Sequence, residues 1–435
     1  MNRFFFALVL LAFGVTAGRQ IGWSPDATGD SPMQALTNGM VEAANGSVTL
    51  SIGMVGVMAL FLGLMKVAEA GGLLTVLARL IRPLMVRLFP EVPADHPAMG
   101  AMILNLSANA LGLGNAATPF GIRAMKELDR LNPQPGVATN AMALFLAINT
   151  SSVTLVPTSV IALRASVGSN DPAAILSTTL FATFFSTSVA ILAAKWLQCF
   201  FPVESLSHAV TEVSSSAGSE PSFESTSDVG QGYPVWVSTL ALITLIALIP
   251  VTILYGRVIS PWVLPGLMTG MLTFGFMRGV RVYEVFVEGA REGFEVGVRI
   301  IPYLVAILVA VGMLKSSGAL GAFTALVGPW TALVGLPADA LTMAILRPLS
   351  GSGAQGYLAS LLQNPTIGPD GYIGMLTSTL QGSSETTFYI LAVYYGAIRV
   401  QRVRHTLAAA LIGDLVGIIA AVFICSWLYG GGGVP

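Results

Sequence analysis

Charge is scarce in this sequence of 435 residues. Asp, Glu, Lys and Arg make up 10% of it, well under the roughly 25% of a soluble domain. With 54% hydrophobic residues and a mean hydropathy of +0.76, that scarcity excludes a soluble globular protein. It predicts an all-α polytopic membrane protein, with the lipid bilayer as its first partner. A net charge of −1 provides no basic surface, which excludes nucleic acid. Cys199 and Cys425 both end apolar runs and read as small hydrophobes, not as a disulfide or a metal pair. His96, His208 and His405 are too scattered for metal-ligand spacing. There is no nucleotide loop, no HExxH and no nucleophile–base pair, so neither an enzyme nor a cofactor is expected. G-S-G-A-Q-G at Gly351 and G-L-G-N-A-A at Gly112 mimic a dinucleotide fingerprint. Neither follows a soluble strand, and glycines there suit tight turns.

What the chain does have is a series of apolar runs. Phe4–Ala17 has the look of a signal-peptide core but reads as a short first span. Met33–Ala44 places Met33, Leu36, Met40 and Val41 on one face, which predicts an interfacial helix, and Val48–Met65 is a span. Leu73–Leu88, with Arg79, Arg82 and Arg87 on its polar side, is too charged to face lipid. Ala98–Pro119 is apolar but interrupted by Asn105, Ser107, Asn109, Gly112, Gly114 and Asn115, which predicts a re-entrant hairpin. Arg123–Arg130 reads as a charged loop. Val137–Ala165 carries N-T-S-S in its middle and Pro157 just after, the pattern of a discontinuous helix. Ile175–Leu197 is a span. Residues 205–233, rich in Ser, Glu and Gly and without Lys or Arg, read as a disordered linker. Beyond it, Val235–Tyr255 and Trp262–Met277 are spans and Val282–Glu295 is a second interfacial helix. Gly297–Leu314 is a span and Ala319–Leu333 a weaker one. Leu341–Leu362 is a second interrupted segment, Tyr372–Ile398 a second broken helix, and Leu407–Leu428 a last span containing Asp414.

The order of element types repeats. Gly63, Lys66, Ala70, Gly72, Thr75 and Leu77 match Gly312, Lys315, Ala319, Gly321, Thr324 and Leu326, 249 residues on. I-L-N-L-S-A-N from Ile103 lies over I-L-R-P-L-S-G-S from Ile345, and N-T-S-S over Q-G-S-S-E. The domains expected are therefore a repeat over 1–204, the linker 205–233, and an extra span plus a second repeat over 234–435. Four spans in the first half and one extra make the second copy inverted. With the N-terminus in the cytoplasm, sixteen of the twenty-one Lys and Arg fall on the inner side, in line with the positive-inside rule. Lys66 and Lys315 sit at span ends and snorkel. Paired hairpins and broken helices in inverted repeats are the architecture of secondary transporters.

Such a fold brings two hairpin tips and two helix breaks together near the bilayer midplane. The first half contributes Asn105, Ser107, Asn109, Asn149, Thr150, Ser151 and Ser152 as candidate solute ligands. The second contributes Arg347, Ser350, Ser352, Gln355, Gln381, Ser383, Ser384, Glu385 and Thr386. These hydroxyls and amides either bind a solute or hold helices together. Arg347 and Glu385 are the charged pair at membrane depth, where a charge costs about 2.5–3.5 kcal/mol. Arg347 would meet negative charge on the solute. Glu385 either carries a coupling H⁺ or Na⁺ or makes a structural ion pair with Arg347. Asp414 reads as a helix-packing acid.

Gly63–Arg82, Ala98–Thr118 and Asn149–Pro157 resemble spore maturation protein A. Val282–Leu314, R-P-L-S-G-S-G-A and T-L-Q-G-S-S-E-T-T-F-Y resemble spore maturation protein B, so the chain looks like a fusion of the two. The resemblance implies the nucleoside recognition, or Gate, superfamily. That group is similar in fold to parts of concentrative nucleoside transporters and of the ferrous iron transporter's membrane domain. It also implies a multi-pass protein of the bacterial inner membrane, tied in spore formers to core dehydration. The expected function is a secondary transporter moving a small polar solute, a nucleoside or an anionic metabolite. The alternative is a membrane scaffold or gate acting through partners. The two amphipathic segments could support a homodimer.

Overall fold

The computed structural model describes residues 2–24, 30–112, 114–201 and 232–430. The linker expected over 205–233 lies outside these, apart from Gly232 and Tyr233. The described residues are helical, and their element order runs twice. The first half has α1 (Asn2–Ile21), α2 (Pro32–Ala70), α3 (Leu73–Leu88), a hairpin of α4 (Pro97–Ala110) and α5 (Gly114–Arg130), a broken pair α6 (Asn140–Thr150) and α7 (Thr158–Ser166), and α8 (Ile175–Leu197). The second half has α9 (Val235–Met277), α10 (Val282–Ser317) and α11 (Ala319–Ala332). Then come a hairpin of α12 (Ala338–Leu349) and α13 (Gly351–Leu362), a broken pair α14 (Tyr372–Gly382) and α15 (Thr387–Ala397), and α16 (Thr406–Tyr429). The chain is an all-α polytopic membrane protein. The helices from Pro32, Pro172 and Thr406 are each long and apolar enough to cross a bilayer.

Both halves join what the sequence divides. Met33–Ala44 and Val48–Met65 form one 39-residue helix, α2, about 58 Å long at 1.5 Å per residue. Ser31 caps its first turn by accepting from the Gln34 N–H, with Pro32 at the first position. Nothing at Asn45–Ser47 stops it, because the Ser47 hydroxyl donates back to the Ala44 carbonyl at 2.6 Å. Val282–Glu295 and Gly297–Leu314 likewise merge into α10. Arg123–Arg130 is no loop but the last two turns of α5. The weak span expected over Ala319–Leu333 is α11, whose 14 residues reach only about 21 Å against a hydrocarbon core of about 30 Å. It takes the place that α3 holds in the first half.

The two central helix pairs show how the halves are related. Along α2 and α10, Gly39 meets Gly312 and Ser316, Ala59 meets Gly293, and Gly63 meets Phe286 and Gly289. The two helices therefore run antiparallel. Along α8 and α16, Ala174 meets Tyr429, Phe181 meets Phe423, Ser186 meets Gly417 and Ala190 meets Gly413, antiparallel again. A two-fold axis that relates antiparallel equivalents lies across the helices, so each half is the other inverted. The repeat offset turns the Gly39–Gly312 approach into the Gly63–Gly289 one, to within a residue.

The helix α9 fits the same frame. Straight, its 43 residues would span about 64 Å. Yet the Tyr233 N–H donates to Arg79 O at 3.2 Å, while Phe274 lies against Gly71 and Val67 against Gly275. One end thus sits at the middle of α3 and the other at the turn before it, while Leu264 and Leu267 pack on the cluster around Ile161 and Ile175. The helix doubles back, and the two spans expected there are its limbs.

The apolar faces of the amphipathic segments are used within the chain. Leu36 is buried with Met313 and Leu314. Lys66 does not merely snorkel, since it pairs with Glu292 at 2.8 Å.

Candidate solute site

The hairpin helices are too short to cross. α4 has 14 residues, α5 has 17, and α12 and α13 have 12 each, about 18–26 Å against a hydrocarbon core of about 30 Å. Each hairpin therefore turns inside the protein, and a glycine sets its tip against the break of the same half. Gly112 has a φ of +77°, and a Cβ there would stand 2.6 Å from Val156 O. At Gly351 a Cβ would meet the Thr386 hydroxyl at 2.6 Å. Only a missing side chain allows either approach.

The breaks dock through their freed backbone groups. In the first, the Leu155 N–H donates to Ala110 O at 2.9 Å. In the second, the Glu385 N–H reaches across to Thr150 O at 2.9 Å. Arg347 staples the second break. Its Nε donates to Gln381 O at 3.1 Å, its Nη1 to the Thr386 hydroxyl at 3.0 Å, and its Nη2 to Ser384 O. Glu385 Oε2 lies 3.7 Å from that Nη2. The Arg347 side chain is 9% exposed and that of Glu385 45%. The arginine is therefore fixed in the structure, whereas the glutamate faces open space.

That space is a cavity of about 310 Å³. Its walls include Asn109 and Gly112 at the first hairpin, Thr154 and Val156–Val160 at the first break, Arg347, Gly351 and Gln355 at the second hairpin, and Gln381, Gly382, Glu385 and Thr386 at the second break. Met58 and Leu62 of α2 close one side. Three helix N-termini reach it, those of α7, α13 and α15. The C-termini that reach it are those of α4, α12 and α14, and Arg347 covers the last of these through Gln381 O. The remaining field favours negative charge.

Of the sixteen residues nominated from sequence, six line this cavity: Asn109, Arg347, Gln355, Gln381, Glu385 and Thr386. The others serve the framework around it. Asn105 donates to Ala117 O at 2.7 Å and to the Tyr394 hydroxyl at 3.1 Å. Asn149 donates to Phe145 O and accepts from Asn109 at 3.0 Å. Thr150 and Ser151 bond back to Ala147 O. Ser107 and Ser152 are buried, Ser350 caps α13 by accepting from the Gly353 N–H, and Ser352 is exposed. Ser383 and Ser384 border a second, water-sized cavity behind the break. Thr154, Thr158 and Ser159 also line the cavity, beyond the residues nominated from sequence. Pro157 was their signal, because it starts the second limb of the broken helix, seven residues beyond the end of the first.

The cavity lies between two clasps. At one end the linker after α7 grips the linker before α14. Arg164, fully buried, donates to Asp370 Oδ1 at 2.9 Å and to the carbonyls of Pro369, Asp171 and Pro172, and Ser169 and Asn170 hold the same carboxylate. At the other end the equivalent linkers meet through main chain. The Gln401 and Arg402 N–H groups donate to Gly136 O, the Ala138 N–H donates to Arg402 O at 3.0 Å, and Arg404 donates to Ala138 O. The length of α8, 23 residues or about 34 Å, separates the clasps.

Comparison with known proteins adds relatives for both halves. The family model described as Gate, nucleoside recognition, matches residues 51–197. Spore maturation protein B of Bacillus subtilis is 41% identical over 167 residues, which cover 38% of this chain and 93% of that protein. Spore maturation protein A of the same organism is 43% identical over 164 residues, covering 38% of this chain and 84% of that one. Inner membrane protein YjiG of Escherichia coli is 36% identical over 81 residues, 18% of this chain and 53% of that one. Among solved structures, the YdaH transporter of Alcanivorax borkumensis aligns over 99% of this chain and 98% of its own, with a TM-score of 0.44 and 18% identity.

Proposed function

We propose that this chain, which belongs to the family of spore maturation proteins A and B and joins the two in one polypeptide, moves a small polar solute across the bacterial inner membrane by alternating access. The observation that carries this reading is the shared cavity. Two inverted halves, over 1–204 and 234–435, each give it a hairpin tip and a helix break, and one clasp stands at either end. Its volume of about 310 Å³ suits a small molecule. Arg347 and three helix N-termini favour an anionic group on the solute. Asn109, Gln355 and Gln381 read polar edges, as a nucleobase or a carboxylate would present. Glu385 meets the solute from the cavity wall. The N-terminus lies in the cytoplasm, with the arginine-rich main-chain clasp on the inner face.

Thermal stability of the purified protein in detergent tests this, with nucleosides, nucleobases, nucleotides and small carboxylates as probes. A ligand at 100 times its Kd adds about 2.7 kcal/mol. The expected result is stabilisation by one class, lost in Gln355→Ala and altered in Glu385→Gln. A cooperative melt that no probe moves would instead support the second reading, a membrane scaffold for envelope or spore maturation, which the names of the two Bacillus relatives favour.

A further inference from the structure

Behind the second break lies a charge that the solute cavity does not use. Asp414, in the middle of α16, is 5% exposed. One carboxylate oxygen, Oδ2, accepts from the Thr387 hydroxyl at 2.6 Å. The other, Oδ1, is buried and has no hydrogen-bond partner. Asp414 also lines a small cavity of about 10 Å³, with Arg347, Ser383, Ser384 and Gly417 beside the apolar Ala344, Pro348, Leu380 and Ile418. A space of that size holds one water or one small ion. Arg347 borders both cavities, so the break it staples forms the wall between them. No ion pair within 4 Å joins Arg347 to Asp414 among the described residues, because the guanidinium is turned to the carbonyls of the break.

The charges do not balance. Arg347 supplies one positive charge against the two negative charges of Glu385 and Asp414, and α6 and α8, which also pack on α16, bring no titratable side chain to this point. An unpaired carboxylate so deeply buried is costly. A solute with its own negative charge on Arg347 would leave the cluster more negative still. The chemistry required at Oδ1 is one small positive charge with oxygen ligands, of the kind that broken helices provide from their ends.

We propose that Asp414, with Thr387 and the Ser383–Ser384 turn, forms a site for a single small monovalent cation, a proton or Na⁺, on the far side of Arg347 from the solute. Its role as the coupling site rests on the transport reading above. The site itself does not, and it can be tested with no solute present. In this arrangement Glu385 faces the solute, and Asp414 carries the charge that accompanies it. Solute and cation would act on one another through Arg347 and the four-residue break that the arginine holds.

The experiment measures the melting temperature of the full chain in detergent. NaCl is exchanged for choline chloride at constant ionic strength, and pH is varied at fixed salt. A Na⁺-specific rise that Asp414→Asn abolishes and Glu385→Gln retains identifies Na⁺. A pH response indifferent to Na⁺, removed by Asp414→Asn and kept by Glu385→Gln, identifies a proton. Should Asp414→Asn not fold, Thr387→Val preserves the charge and removes the hydroxyl on Oδ2. It should displace the midpoint of whichever response is seen on the order of tenfold in cation concentration. The site is overturned if the wild type shows neither response, if Asp414→Asn responds like the wild type, or if Thr387→Val leaves the midpoint in place. A cation response in a protein that no solute stabilises would retain the site and remove the transport reading.

Discussion

One methyl group added at Gly289 should destabilise the protein, whereas one added at Gly56 should not. The two positions lie on the paired helices α10 and α2, and both are helical. A Cβ at Gly289 would stand 2.6 Å from Leu62 O and 3.0 Å from the Gly63 Cα. These are main-chain atoms, so no rotamer change relieves the overlap and the helices must separate. Overpacking of this kind costs about 1–3 kcal/mol. The partner glycine across the pair is packed as tightly, because a Cβ at Gly63 would meet Phe286 O at 2.9 Å and the Phe286 ring at 2.8 Å. Gly46 and Gly56, on the same helix as Gly63, have nothing within 4 Å. There, Gly→Ala removes only conformational entropy of the unfolded chain, which should be neutral or gain up to about 1 kcal/mol. Melting temperatures of the four Gly→Ala variants in detergent should fall for Gly63 and Gly289 and hold or rise for Gly46 and Gly56. Equal shifts at all four would refute the close antiparallel pairing, and with it the two-fold relation of the halves.

Further predictions concern the charged groups. Arg347→Lys retains the charge but not the fork, so it should lose at least one of three hydrogen bonds and melt lower by about 2 kcal/mol. Glu385→Gln, half exposed and 3.7 Å from the guanidinium, should cost under about 1 kcal/mol, and a larger loss than Arg347→Lys would contradict the staple. Arg164→Ala should cost about 3–5 kcal/mol, since it leaves Asp370 and several carbonyls without their donor. Asp370→Asn loosens the same clasp and should speed labelling of Thr154→Cys by a water-soluble thiol reagent in a cysteine-free background. His405, in the linker ahead of α16, has its pKa lowered from 6.5 to about 4 by burial and by the adjacent Arg404. The folded state therefore takes up a proton less readily than the unfolded chain. Stability should fall as pH drops from 6.5 to about 4, by roughly 3 kcal/mol in all. His405→Gln should flatten that part of the stability–pH curve.

Much of this was legible in the sequence, and the reasons are specific. Interruptions were easy to see because each leaves a chemical trace. Asn109 and Gly112 mark the first hairpin tip, Pro157 the first break, and the Gln381–Glu385 run the second. Continuity was harder. Nothing in N-G-S at Asn45 tells whether α2 stops or runs on, and the answer came from packing along its full length against α10. Polarity alone also did not separate ligands from framework. Asn105 and Asn109 lie four residues apart on one face of α4, yet Asn105 is spent on Tyr394 and Ala117 O while Asn109 reaches the cavity. The difference lies in how far along the hairpin each sits, and the tip is fixed by Gly112. Asp414 reads in sequence as a helix-packing acid, with nothing in α16 itself to mark a site. Its hydrogen-bond partner Thr387 and its neighbour Ser383 come from the second break, packed against it.

The two halves are equivalent in backbone and unlike in chemistry, and that difference bears on how the molecule would work. Inversion would let either end open by the same rearrangement, since each repeated element has a counterpart facing the other way. Equal geometry would give the two open states equal energy if the contacts were equal as well. They are not. One clasp is a buried guanidinium on a carboxylate and several carbonyls, and the other is chiefly main chain, with Arg404 added on a carbonyl. Separating the first exposes Arg164 and Asp370 to water, which recovers part of their desolvation, while separating the second recovers only peptide hydration. The cavity charges are one-sided too, because Arg347, Glu385 and Asp414 all come from the second half. Under the proposed function, a solute bound on Arg347 would act on the break between α14 and α15 directly. It would reach the first half through the Glu385 N–H on Thr150 O, a bond that crosses between the halves at the point where both helices are interrupted.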